Sequence, residues 1–379
     1  MKNANTTPVA GTNPVPPPSA AAEDDDDKAR CDWNFNLSAV VAASPTGSSD
    51  AIGVVEFDHR NSLFATGGIA RKIRIYSLRK LVGEHSGERN TTETTSFLDH
   101  TAACEYYICT PARLSSLKWK PGSGSRVVGS GDYDGVVMEY DLEKRVAVFE
   151  RDEHGGRRVW SMDYSYSDPN LGGSGSDDGT MQMWDARCGG SLAPVRPDRA
   201  GASPVCSVEF NPFGGHLVAV GCADSRIYGY DSRRAAEPVF VLGGHRKAVT
   251  YTKFLDGGTI VSAATDGCLM MWQSENQSRP IRTYRGHVNS RRFVGLSAWR
   301  DGGLLSCGSE DNRVFVYDKR WGDPIWVRGF GESAAAEDGG RSFVSGICWR
   351  QSGEERRCTL VAGGSDGALQ VFEGEERKG

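Results

Sequence analysis

The ten cysteines of this 379-residue chain form no CxxC pair. Zinc modules need closely spaced thiolates, so that class falls away. Cys104 and Cys109 are one near pair, while Cys206, Cys222, Cys307 and Cys348 lie in apolar, strand-like stretches. That distribution fits reduced, buried thiols of a cytosolic or nuclear protein better than a disulfide framework. No GxxxxGK[ST] occurs, so the Gly-rich runs are not phosphate loops. No apolar run is long enough to span a bilayer. The opening "MKNANTTPVAGTNPVPPPSAAA" has no apolar core and no signal-peptide shape. An excess of positive charge is missing too: Lys and Arg number 44 against 49 Asp and Glu, a net −5. That balance argues against broad nucleic-acid or membrane-surface binding, with room left for local basic patches. No segment sustains helical periodicity.

What the sequence does have is repetition, the first feature to seek in a long chain. "GSGSDDGTMQMWDAR" (Gly173 to Arg187) has six siblings: "LFATGGIARKIRIYS", "VVGSGDYDGVVMEYD", "VAVGCADSRIYGYD", "IVSAATDGCLMMWQ", "LLSCGSEDNRVFVYD" and "LVAGGSDGALQVFE". The closing aromatics of the seven units are Tyr76, Tyr140, Trp184, Tyr230, Trp272, Tyr317 and Phe372, at steps of 64, 44, 46, 42, 45 and 55 residues. A blade of a WD40 propeller takes about 40–45 residues. Each unit also has an upstream strand of alternating apolar residues: "IGVVEF", "LSSLKW", "VWSMDY", "VCSVEF", "VTYTKF", "VGLSAW" and "VSGICW". Alternation buries one face of a strand, and short Gly- or Asp-bearing turns join hairpins. The expected fold is all-β: a seven-bladed WD40 β-propeller.

The turn acids Asp134, Asp178, Asp224, Asp266, Asp311 and Asp366 fall between the second and third strands of their blades, where a carboxylate accepts turn amides. The first blade has no such acid. WD40 repeats commonly pair this acid with a His ahead of the blade, and the expected pairs are His154 with Asp178, His245 with Asp266, and His287 with Asp311. The fourth blade has no His to offer. A Ser, a His and an Asp in one blade resemble a hydrolase triad. The set recurs from blade to blade, which one active site would not do. No enzyme, metal site or cofactor is expected.

Only seven residues follow Phe372, too few for a good fourth strand. The seventh blade is therefore expected to borrow "CDWNFNLSAVV", Cys31 to Val41, which closes the ring and covers an open edge. Residues 1–30, Pro- and Ala-rich with an acidic run from Glu23 to Asp27, read as a disordered tail, and 31–379 as the propeller. Two insertions, Ser77 to Ala112 and Gly329 to Arg341, account for the long steps and read as mobile loops.

Propellers bind partners on the face formed by the loops before the first strands and between the second and third. Residues there that the repeat does not need are Arg113, Tyr133, Arg157, Arg158, Trp160, Lys247, Arg291, Arg292 and Phe293. Aromatic anchors rimmed by cations suit a peptide with an apolar tip and acidic flanks. Trp160 and Phe293 could each simply begin a strand and pack inward. As a group, the residues favour surface binding.

These segments carry a resemblance. "RLSSLKW…GSGDYDGVVMEYD", "RRVWSMDYSYSDPN…SGSDDG", "GHRKAVTYTKFL", "YRGHVNSRRFVGL" and "SFVSGICW" resemble the WD40 domain of the plant constitutively photomorphogenic ubiquitin ligase and of its phytochrome-signalling suppressor relatives. The similarity runs from about Ile52 to Phe372. "CDWNFNLSAVV" and "GGIARKIRIY" look most like the Repressor of UV-B Photomorphogenesis (RUP) family, a lone, monomeric propeller of this type. The resemblance implies a top face for Val-Pro peptides, acidic upstream, from transcription factors and photoreceptors. The matching positions are Arg113, Tyr133, Arg158, Trp160, Lys247 and Phe293, and Ser290 stands where the ligase has an acid. Only 30 residues precede the first strand, without zinc ligands or heptads, so the chain is expected to lack the ligase's RING and coiled coil. Two binders of one motif compete by mass action. The expected function is a repressor that binds the UV-B photoreceptor, displaces the ligase and favours return of the photoreceptor to its inactive dimer, in nucleus and cytoplasm.

A rival reading rests on "WDAR". Trp184, Asp185 and Arg187 have the WDxR form by which many WD40 proteins dock the adaptor of cullin-type ubiquitin ligases, and "YDSR" adds Arg233. That reading makes the chain a substrate receptor. Asp and Arg after a closing strand are also ordinary turn residues.

Overall fold

The computed structural model describes residues 30–42, 50–83, 95–188, 192–199, 201–275, 279–330, 342–351 and 356–377. The expected tail, except Arg30, and the expected loop from residue 331 to Arg341 lie outside them. The described residues form seven sheets, antiparallel but for one added strand in the last, arranged as a β-propeller. The strand nearest the axis in each blade is, in order, Ile52–Phe57, Leu114–Trp119, Val159–Tyr164, Val205–Phe210, Val249–Phe254, Leu296–Trp299 and Val344–Trp349. Each packs beside the next and the last packs beside the first, so the ring is closed.

Burial follows distance from the rim. The third strand of blade 2, Val137–Asp141, is buried throughout, whereas its outer strand, Val146–Arg151, is largely exposed. All seven closing aromatics are buried between blades, each contributing roughly 2–3 kcal/mol of burial. The Gly-rich run of blade 3 has its reason here. A Cβ at Gly172 would lie 2.4 Å from the Trp184 indole, and one at Gly175 the same distance from Val205. The glycines let bulky side chains of the same and the next blade lie flat on the backbone.

Neighbouring inner strands are not paired in a common sheet, so side chains bridge them. Ser116 Oγ accepts from the Met162 amide (3.0 Å), Ser161 Oγ from Val208 (3.1 Å), Ser207 Oγ from Thr252 (3.0 Å) and Ser297 Oγ from Trp349 (3.0 Å). Asp163 does the same for Phe210 at 2.8 Å. These bonds satisfy amides that would otherwise be left without partners at the blade seams.

The ring closes as the alternation implies. Trp33–Ala42 forms the fourth strand of blade 7, antiparallel to Leu369–Glu376. Trp33 meets Trp299 edge-on at 5.3 Å, and Phe35 lies 5.0 Å from Trp326. Four expectations need correcting. Residues 84–94 of the Ser77–Ala112 insertion lie outside the described residues, and its other residues are largely folded: Leu78–Val82 and His100–Ala103 are short helices, Cys104–Cys109 is the outer strand of blade 1, and Ser96–Asp99 adds a fifth strand to blade 7, parallel to the closing strand. Its His100 accepts from the Tyr76 hydroxyl (2.7 Å) and donates to the Gly367 carbonyl (2.8 Å), tying blade 1 to blade 7. Among the described residues blade 3 has three strands, its outer edge reduced to a bridge between Met181 and Val195. In blade 2 the amide-accepting turn acid is Asp132, which holds Asp134 and Val136. Finally, His287 bonds the Tyr317 hydroxyl at 3.0 Å and not Asp311, whose carboxylate is taken by Arg313.

Candidate functional site

The two expected His–Asp pairs that do form complete a triad geometry. His154 Nδ1 lies 2.8 Å from Asp178 and its Nε2 2.8 Å from Ser174 Oγ. His245 repeats this with Asp266 and Ser262, and Ser262 also accepts from Trp272 Nε1. Both serines are sealed in the interior, at 1% and 0% exposure, so no substrate carbonyl reaches them. The Asp178 carboxyl is pushed up by burial, but the bonds from His154 and Thr180 outweigh that and hold it below the usual range. These sets bind loop to blade.

The chemistry-bearing surface is the mouth at the end where inner strands begin. Arg158 and Trp160 flank the start of the blade 3 inner strand. The Arg158 guanidinium lies between two rings, 4.1 Å from Tyr133 and 4.5 Å from Trp160. Trp160 in turn lies flat on Phe293, with ring centroids 4.2 Å apart and planes 3° from parallel. Tyr251 meets the Phe293 ring edge-on at 5.7 Å. One continuous stack, Tyr133–Arg158–Trp160–Phe293–Tyr251, thus crosses the axis from blade 2 to blades 5 and 6. Trp160 and Phe293 are only half-buried, and they pack on each other across the mouth instead of into separate blades.

Cations rim this stack. Arg113, Arg157, Lys247 and Arg291 are exposed and have no carboxylate partner among the described residues. Arg292 covers the Phe343 ring at 4.4 Å. The four of six expected peptide residues that form the stack touch in sequence, while Arg113 and Lys247 stand apart on the rim.

Two acids of the mouth escaped sequence reasoning. Asp177 accepts the Trp160 indole N–H at 2.5 Å. Glu310 accepts the backbone N–H groups of Ser290 (2.9 Å), Arg291 (2.7 Å) and Arg292 (3.0 Å) and the Ser290 hydroxyl (2.7 Å). Burial raises the Glu310 carboxyl, but those four bonds prevail and leave it below the usual range. The signal was there to find. Tyr133, Asp177 and Glu310 occupy one repeat position, seven residues before the closing aromatic, where the other blades have Ile69, Ala223, Thr265 and Ser365. At six of the seven the backbone N–H donates to the carbonyl just before the inner strand, Tyr133 to Arg113 and Asp177 to Arg158 among them, while Glu310 donates to Val288 in the loop ahead of its blade. The backbone fixes the place and leaves the side chain to the site.

Below the stack the inner strands enclose a channel of about 270 Å³. Lys118 pairs with Glu56 at 2.8 Å and Lys253 with Glu209 at 2.7 Å, with Arg300 3.7 Å from Glu209. The charges compensate one another. Asp163 is pushed up to about 7, by burial first, against the pull of Lys118.

The WDxR residues lie on the opposite face. Trp184 is buried in the core of blade 3 and is no surface contact. Arg187 is exposed but held by Asp185 (2.5 Å) and Asp168 (2.6 Å), and Arg233 by Asp231 (2.6 Å).

Comparison with known proteins agrees with this geometry. The family described as WD domain, G-beta repeat matches residues 144–185, 236–273 and 278–318. The WD repeat-containing protein RUP2 of Arabidopsis thaliana is 59% identical over 336 residues, covering 87% of this chain and 89% of that protein. RUP1 of the same plant is 58% identical, covering 92% and 86%. The E3 ubiquitin-protein ligase COP1 of Pisum sativum is 35% identical over 86% of this chain but only 45% of its own length. A seven-bladed propeller with these relatives along nearly its whole length belongs to the RUP family of WD repeat-containing proteins.

Proposed function

We propose that this protein is a non-catalytic repressor of UV-B signalling that captures a Val-Pro peptide with acidic flanks on its mouth. The observation that carries the reading is the Arg158–Trp160–Phe293 stack, an apolar bed edged by cations without a carboxylate partner among the described residues. Proline and valine offer apolar faces to the rings, and upstream carboxylates meet Arg113, Arg157 and Lys247. The ligand is the tail of the UV-B photoreceptor. The related ligase propeller would offer the same kind of face, so occupancy of one excludes the other, and the balance follows concentration and affinity. Displacing the ligase in nucleus and cytoplasm returns the photoreceptor to its inactive dimer.

Titration calorimetry with a Val-Pro peptide from the photoreceptor tail tests this. Wild type binds at micromolar or tighter affinity, and Trp160→Ala loses about 2 kcal/mol or more, roughly thirtyfold, as a buried aromatic anchor does. Added ligase propeller shifts the wild-type isotherm as a competitor. A well-folded wild type that ignores the peptide overturns the reading.

A further inference from the structure

An indole lying flat on Phe293 keeps its stack if it turns over by half a rotation, and the turn moves its N–H to the other edge. Something must choose between the two placements. The Trp160 Nε1 hydrogen bond to Asp177 at 2.5 Å does so, and it is charge-assisted, the stronger kind. Asp177 is itself pinned by its backbone N–H to the Arg158 carbonyl at 3.0 Å, so carboxylate, Arg158 and indole move as one unit. The repeat does not require an acid at this position, since the equivalents include Tyr133, Ala223 and Thr265. The neighbouring acid, Asp178, serves His154 and the fold, leaving Asp177 to serve the stack.

Building on the peptide reading above, we propose that Asp177 is a positioning residue of the mouth, which holds the Trp160 indole in the binding orientation before any ligand arrives. The bond removes the ordering penalty that a free indole would incur on binding.

The test is a pair of variants, Asp177→Ala and Asp177→Asn, read three ways. The Trp160 indole N–H resonance, assigned by its loss in Trp160→Phe, reports the bond in the free protein. Calorimetry with the Val-Pro peptide reports affinity, and thermal melting reports the fold. In Asp177→Ala the resonance moves upfield, affinity falls about tenfold or more, as expected for a bond to a charged group, and the melting temperature stays put because the backbone bond remains. In Asp177→Asn, which keeps an acceptor oxygen, affinity recovers to within about threefold of wild type. An unmoved indole resonance in Asp177→Ala overturns the proposal, as does wild-type affinity in that variant. If wild type itself does not bind the peptide, the peptide reading fails, and the resonance in the free protein alone decides the role of Asp177.

Discussion

Replacing Phe35 by Ala tests whether the ring is one cooperative body clasped by its closing strand. Phe35 is 6% exposed, and its ring lies 5.0 Å from Trp326 of blade 6 and 6.2 Å from Trp349 on the inner strand of blade 7. Truncating a buried Phe costs about 3–5 kcal/mol, because the transfer term and the cavity add. That is a large share of the roughly 5–15 kcal/mol that holds a typical domain together. An unfolding entropy of about 2.1 cal/mol/K per residue over roughly 350 ring residues gives about 0.7 kcal/mol/K, so the melting temperature should fall by roughly 4–7 °C. Calorimetry and urea unfolding followed by circular dichroism supply the measurement, with the exposed neighbour variant Asn34→Ala as a control expected near zero. The reasoning is refuted if Phe35→Ala loses less than about 1 kcal/mol. It is refuted equally if unfolding splits, with blade 7 melting early while the other blades keep their wild-type midpoint.

Two further perturbations address single side chains. Burial drives the His287 imidazole down to about 4, its Nε2 buried without a partner. Because the folded value lies below the unfolded value near 6.5, the unfolded chain takes the proton first. The stability contribution is complete above about pH 6.5 and fades as pH falls toward 4, a loss of about 3 kcal/mol. The difference between wild-type and His287→Asn stability curves should change by that amount across the window, and parallel curves would exclude the mechanism. His100→Ala strands the Tyr76 hydroxyl and the Gly367 carbonyl, so urea unfolding should show a loss of about 2 kcal/mol, with faster amide exchange in the turn around Gly367. Unchanged stability and exchange would mean the folded insertion does not clasp the closure.

The blades themselves could be read from spacing because a propeller repeats its demands. Tyr76, Tyr140, Trp184, Tyr230, Trp272, Tyr317 and Phe372 all fill the same gap between blades, so their positions announce themselves. The closing strand was legible for a related reason: Trp33, Phe35, Ala39 and Val41 are buried in turn, and blade 7 lacks a partner of its own. What escaped is what each blade does singly. The insertion Ser77–Ala112 is polar and looks structureless, yet it folds because the closing strand offers it an edge and Gly367 offers His100 a carbonyl. His287 bonds the Tyr317 hydroxyl, while Asp311 is held by Arg313 through Oδ2 alone, a local choice that the repeat spacing does not carry. Asp177 and Glu310 sit beside the turn acids, and their partners, Trp160 and Ser290 to Arg292, lie 17 to 20 residues away in sequence, a pairing no periodicity encodes.

The closing strand also sets the timetable of synthesis. Trp33 pairs with Glu376 and Val41 with Leu369, so the closing strand waits for the last strand of blade 7 to leave the ribosome. At about 5–20 residues per second that wait is on the order of 20–70 s. Throughout it an alternating apolar strand stands with an open edge, the condition in which strands recruit the wrong neighbour. A chain broken off anywhere before Leu369 leaves the closing strand with only its short parallel partner Ser96–Asp99, so a single early stop damages both ends of the ring. Nascent-chain chaperones would meet this protein as a long open arc, and the aromatic stack across the mouth would exist only after the blades that carry it have closed into a ring.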